Sequence, residues 1–203
     1  MAQLVECIPN FSNGQDKEII EAIVNEVRST AGVTLLDYSS DTSHNRSVVT
    51  FIGSPEGVEE AAVKMAVKSA QLIDLNHHKG EHPRMGAIDV IPFVPVKDIT
   101  EAECIEISKR TAQRVWDEAK IPVFLYESSA SAPHRQNLAA IRKGQFEGMA
   151  EKVKDPQWAP DYGTGINPTA GVVAVGARPP LVAYNINLNT SDLTIASNIA
   201  KII

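Results

Sequence analysis

The chain has 203 residues, 43% of them hydrophobic and 22% charged, with twelve glycines, twelve prolines and a formal net charge of −6. This is the composition of a folded globular protein and argues against disorder. An acidic balance with no basic stripe argues against a nucleic-acid partner, no run approaches the length of a membrane span, and the opening MAQLVECIPN lacks the features of a secretion signal.

Leu4 begins a short apolar run reaching Asn10, which reads as a strand ended by the turn Phe11-Ser12-Asn13-Gly14. From Asp16 onward Ile19, Ile20, Ile23, Val24 and Val27 recur at three and four, the mark of an amphipathic helix. Residues 33–38 and 47–52 are strand-like, the second strongly so. Ser54-Pro55 supplies an N-cap and a first-turn proline for a helix with Val58, Ala61, Ala62, Met65, Ala66, Ser69, Leu72 and Ile73 on one face. Residues 88–94 read as a strand, and Thr100 with Glu103 forms a capping box for a helix through about Lys120. A short strand follows at 123–126, then an irregular stretch to Pro168 with short helices near 136–142 and 145–150. Strand character returns at 172–175 and 181–187.

This order predicts an α+β fold. Its first six elements match the βαββαβ pattern of ferredoxin-like folds, a mixed sheet with helices packed on one face. LVAYNINL (181–188) repeats the character of LVECIPNF (4–11), and Ile195, Ile199 and Ile202 recur at helical spacing after it. The chain is therefore expected to hold one subdomain over residues 1–179 and the truncated beginning of a related one over 180–203. Cys7 and Cys104 read as buried reduced thiols of a cytoplasmic protein.

Three segments concentrate reactive side chains. In HHKGEHPRMGA (77–87) three of the five histidines fall within six positions. His78 and His82 are four apart, a ligand spacing that needs a helix, and Gly80 and Pro83 oppose one, so no metal site is expected. Pro83 pushes His82 to an extended backbone, Gly80 and Gly86 permit close chain approach or positive φ, and imidazole exchanges protons near neutrality. A polar surface turn fits the same residues. DTSHNRSV (41–48) places Asp41, His44, Asn45 and Arg46 in a turn between strands, which is either a solvated hairpin or one wall of a cleft. The ribbon Gly163, Thr164, Gly165, Ile166, Asn167, Pro168, Thr169, Ala170 and Gly171 fails the dinucleotide fingerprint, yet a long glycine-rich loop between regular elements favours ligand contact. Arg142, Lys143 and Arg178 are candidate carboxylate holders, because guanidinium and ammonium groups bind anions against the global sign of the charge.

VECIPNFS, DTSHNRSV, GEHPRMGAIDVIPF, IRKGQFEG, VGAR and LVAYNINL, taken in order, closely resemble the N-terminal half of glutamate formimidoyltransferases. The resemblance implies two ferredoxin-like subdomains around a folate-binding groove, and transfer of a formimino group between N-formimino-L-glutamate and N5 of tetrahydrofolate in histidine breakdown. Tetrahydrofolate is then a cosubstrate and no metal is required. It also implies that His82 is the catalytic acid/base, that the ribbon from Gly163 to Gly171 contacts folate, and that the enzyme is a homo-oligomer. Within that frame Arg46, Arg84 and Arg178 are the candidates for substrate carboxylates, and Glu81 or Asp41 for orienting the ring of His82. The alternatives are an isolated folate-binding subdomain completed by a separate chain, and a relative acting on formylglutamate or formylfolate.

Overall fold

The structure, a computed structural model, describes residues 2–181, 186 and 188–202. These residues form, in chain order, β1 (Leu4–Cys7), β2 (Asn10–Phe11), α1 (Lys17–Arg28), β3 (Val33–Asp41), β4 (Arg46–Gly53), α2 (Pro55–Leu72) and β5 (Ile88–Lys97). There follow α3 (Glu101–Ala119), β6 (Val123–Leu125), α4 (Leu138–Arg142), α5 (Gln145–Lys152), β7 (Val173–Ala177) and α6 (Leu193–Ala200), with single 3₁₀ turns at Glu127–Ser129, Pro133–Arg135 and Pro156–Trp158.

Local chemistry sets the helix starts. The Asp16 carboxylate accepts from the N–H groups of Glu18 and Ile19 at 2.9 and 3.2 Å. Ser54 Oγ accepts from Gly57 N–H at 3.1 Å. At α3 the capping box closes in both directions, Glu103 N–H to Thr100 Oγ1 at 3.2 Å and Thr100 N–H to the Glu103 carboxylate at 2.7 Å. Each satisfies N–H groups that the helix itself leaves without partners.

The single strand expected over residues 4–10 is two. Pro9 has no N–H to continue a ladder, so β1 and β2 share one position in the sheet with a break between them. Ile8 N–H still reaches Pro92 O at 3.2 Å, and Pro9 O accepts from Val49 N–H at 3.0 Å. Spatial order is β3, β4, β1 and β2, β5, β7, β6. The pairings are antiparallel from β3 to β5 and parallel from β5 through β7 to β6, which makes the sheet mixed. β3 runs three residues further than the sequence pattern indicates because β4 pairs with it as far as Asp41 opposite Arg46. A register shift between Leu35 and Asp37 leaves Leu36 exposed on this edge strand.

Alternation along the strands builds two apolar layers. Val5, Cys7, Phe51, Phe93, Val123, Val173 and Val175 pack with α1, α2 and α3 on one face. Val90, Phe124, Tyr126 and Ala174 point the other way and meet Ile141 of α4 and Met149 of α5. The expectation of helices on one face therefore holds for the three long helices only. The irregular stretch folds back to cover the opposite face where β5, β7 and β6 lie, which is why β7 is buried throughout. Leu72, expected on the buried face of α2, is 39% exposed, because the helix ends there as it leaves the sheet. Cys7 and Cys104 are buried and unbonded. Of the strand expected at 181–187, residues 182–185 and 187 lie outside the described residues, whereas α6 forms where the isoleucine spacing placed a helix.

The segment from Leu75 to Ala87 is clasped at both ends by one stretch of chain. Thr169 O accepts from Leu75 N–H and Pro168 O from the Asn76 amide, each at 2.9 Å. Ala87 N–H donates to Ala170 O at 2.9 Å and Val172 N–H to Met85 O at 3.0 Å. Gly86 sits at this second clasp, where a Cβ would lie 2.1 Å from Val172 O and 2.5 Å from Ile88 O. Gly86→Ala should therefore cost about 1–3 kcal/mol, the usual range for overpacking. A lower urea midpoint with an unchanged slope would register it.

Candidate active site

The histidine loop lies directly on the turn between β3 and β4. Gly80 makes the approach possible, since a Cβ there would stand 2.3 Å from His44 O. Asn45, at φ 48°, stitches three segments together: its Oδ1 accepts from Gly14 N–H and its Nδ2 donates to Lys79 O, both at 2.9 Å. Glu81 N–H donates to Ser43 O at 3.0 Å. His78 is committed at both nitrogens. Arg84 can only donate, so its Nε–H gives to His78 Nδ1 at 3.2 Å, and the His78 Nε2–H must then donate to Asn45 O at 2.9 Å. That pattern requires the neutral ring.

His82 projects from this loop, half-buried, into a cavity of about 600 Å³ on the sheet face opposite the long helices. Its Nδ1 lies 2.7 Å from Pro83 O. A carbonyl only accepts, so Nδ1 carries the hydrogen and Nε2 keeps a free lone pair. Burial, and then the positive charge of Arg46, hold this imidazole below its ordinary pKa, which the Pro83 carbonyl only partly offsets. The ring of His44 stands edge-on to it, 6.1 Å between centroids.

The cavity floor is an ionic cluster centred on Asp89. This carboxylate, with no exposure to solvent, accepts from Met85 N–H at 2.8 Å, Arg46 Nη2 at 3.0 Å and Arg142 Nη2 at 2.7 Å. One charge thus faces two, and burial pushes the Arg46 guanidinium below its ordinary pKa. Arg46 Nε also donates to Asn10 Oδ1 at 3.1 Å, but Arg46 Nη1 and Arg142 Nε find no acceptor among the described residues. Arg178 at the end of β7 adds a third guanidinium to the lining. α4, which carries Arg142, is only five residues long. The Lys152 ammonium braces its C-terminal end, donating to Ala140 O and Ile141 O at 2.6 Å while resting 4.0 Å from the Trp158 ring centroid.

The expected site residues divide. His82, Arg46 and Arg178 line the cavity, with His44 beside His82. Asp41 serves His44 instead of His82, accepting from its N–H at 2.8 Å and approaching its Nδ1 at 3.0 Å. Asn45 is a structural stitch. Glu81 stays exposed, and the orientation of His82 comes from the Pro83 carbonyl, not from either acid. Arg84, expected to hold a carboxylate of substrate, is engaged by Glu147 in a two-pronged pair at 2.6 and 2.8 Å and does not line the cavity. The ribbon from Gly163 to Gly171 lines another surface: Gly163 packs on Trp116 of α3 and Asn167 Nδ2 donates to Lys120 O at 3.2 Å. It meets the histidine loop through the two clasps. Asn10, Asp89, Tyr126, Glu127 and Gln136 line or support the cavity without being marked by the sequence pattern. For Asp89 a signal existed, a lone carboxylate in the otherwise apolar run IDVIPF.

A family model described as the formiminotransferase domain, N-terminal subdomain, matches residues 4–178. The chain is 60% identical to a glutamate formimidoyltransferase of Streptococcus pyogenes over 100% of its own length and 68% of the relative's. It is 43% identical to a glutamate formimidoyltransferase of Thermoplasma acidophilum, covering 98% of this chain and 67% of that protein. To the formimidoyltransferase-cyclodeaminase of Mus musculus it is 48% identical over 93% of its length, and it spans 35% of that protein.

Removing the central acid should be severe. Asp89→Ala leaves two buried guanidiniums facing each other with no counter-charge, which should lower unfolding free energy by about 3–5 kcal/mol. Equilibrium denaturation read by circular dichroism measures it.

Proposed function

This chain belongs to the formiminotransferase family, and on that premise we propose that it transfers the formimidoyl group of N-formimino-L-glutamate to tetrahydrofolate. The observation that carries the reading is His82, with its hydrogen held on Nδ1 and Nε2 left as a base, on the lining of one cavity with the guanidinium residues Arg46, Arg142 and Arg178. Residues 1–179 are read as the family's N-terminal subdomain, in agreement with the matched span. The strand order β3, β4, β1 and β2, β5 supports a ferredoxin-like arrangement for its first half.

The residues present suit a reduced folate. Val90, Pro92 and Leu138 offer apolar surface, Gln136 offers an amide, and the guanidinium residues of the lining suit carboxylates. When bound, tetrahydrofolate supplies a secondary amine, N5, as nucleophile. His82 Nε2 accepts the proton released at that amine as the new C–N bond forms. The same nitrogen returns it to the glutamate nitrogen as the old C–N bond breaks, so one side chain serves both transfers. Arg46 and Arg178 hold carboxylates, and the Asp89 cluster keeps Arg46 in place. The ribbon from Gly163 to Gly171, with Thr164, Gly165 and Pro168 exposed, is read as a second folate-contacting surface reached around the histidine loop.

His82→Ala should lower turnover by about 10²–10⁴-fold with thermal unfolding unchanged; near-normal turnover in a folded variant would reject the role. The pH profile gives an independent check. His82 must be neutral to accept a proton, and its pKa lies below the ordinary 6.5. Activity should therefore persist as pH falls through the usual histidine range and fail only below it. The positive charge of Arg142 helps to hold that pKa down, so Arg142→Gln should move the acid limb to higher pH.

A further inference from the structure

We infer that Glu127 reads the charge of the donor and makes this site selective for a formimidoyl over a formyl group. The inference rests on the transfer reading above. A formimidoyl group on nitrogen is an amidine, a strong base that carries a positive charge at neutral pH. The corresponding formyl compound has nearly the same shape and is a neutral amide. A cavity lined by Arg46, Arg142 and Arg178 repels a cation unless a carboxylate offsets the guanidiniums where the cation sits.

Asp89 is not available for this. It has no exposed surface, and its oxygens already accept from Met85 N–H, Arg46 and Arg142. Among the described residues lining the cavity, Glu127 is the one acid. Its carboxylate is exposed and forms no hydrogen bond or ion pair among the described residues. Nearby acids such as Glu101 are already engaged, in that case by the Ser128 hydroxyl.

The backbone supports the same assignment. Glu127 has φ 51°, the left-handed region that a residue with a Cβ occupies only at a cost. The conformation is over-determined from both sides: Glu127 N–H donates to Gln136 O at 3.2 Å, Ala130 N–H donates to Glu127 O at 3.1 Å, and the preceding Tyr126 is 3% exposed. A glycine would meet the conformational demand at less cost, so the acid at this position points to a use for the carboxylate. An amidinium presents two N–H groups side by side, as a guanidinium does, and suits two-pronged pairing with a carboxylate. The pairing also keeps the donor in its protonated, more electrophilic form.

Equilibrium binding to the folate-free intact gene product tests this without catalysis. Isothermal titration with N-formimino-L-glutamate and N-formyl-L-glutamate should show that the wild type prefers the first. Glu127→Gln should weaken formimino-glutamate by about ten- to a hundredfold, the scale of a lost charge-assisted hydrogen bond, and leave formyl-glutamate unchanged. Glu127→Gly should lose the same discrimination without loss of thermal stability. An unchanged donor preference in folded Glu127→Gln, or equal weakening of both donors, overturns the assignment and leaves the transfer reading standing. A wild type that binds neither compound overturns both.

Discussion

A carboxylate closed off from water holds two guanidiniums and a backbone N–H in fixed positions at the floor of the cavity. Asp89 lies on β5, Arg46 on β4, Arg142 on the short α4, and Met85 at the end of the histidine loop. Three pieces of chain that are distant in sequence, residues 85–89, Arg46 and Arg142, thus meet at one charge. The arrangement leaves the cluster positive, because one acid faces two bases. That surplus has two effects. It leaves the guanidiniums of Arg46 and Arg142 on the cavity lining with more charge than Asp89 offsets, and it helps hold the neighbouring imidazole in its neutral form. A buried ion cluster is weak evidence of stability in itself, but here it fixes two guanidinium residues on the cavity lining.

The position of the imidazole rests on backbone rather than on side-chain partners. Pro83 makes the chain around His82 stiff and its carbonyl fixes which ring nitrogen carries the hydrogen. Gly80 lets the loop lie against His44 with no side chain between. His78, Asn45 and Arg84 form a second tier of contacts behind it. Groups held in this way need little rearrangement during reaction, which is the economy preorganised sites exploit.

Much of the fold can be read from residues alone where the determinants are local. Ser54-Pro55 and the Thr100–Glu103 box mark helix starts because their hydrogen bonds span three residues. The spacing of Ile20, Ile23, Val24 and Val27 marks a buried face for the same reason. His82 stands out in the sequence because proline and glycine restrict the backbone around it, and Arg46 because it lies in a polar turn between two strands. What escaped depends on partners far along the chain. Nothing near Arg84 reveals that Glu147, sixty-three residues later, occupies it. Nothing near α4 shows that it covers the second face of the sheet, and nothing in the 163–171 ribbon shows that it packs against Trp116. Glu127 looks like an ordinary turn residue until its φ and the cavity are seen together.

The paired clasps at Leu75–Asn76 and Met85–Ala87, both made to residues 168–172, make the intervening loop and the ribbon one opening unit. Neither end can release without breaking bonds to the same short stretch, so their amide protons should become accessible to solvent in concert. Whatever quiets the ribbon therefore also steadies both ends of the loop that carries the imidazole.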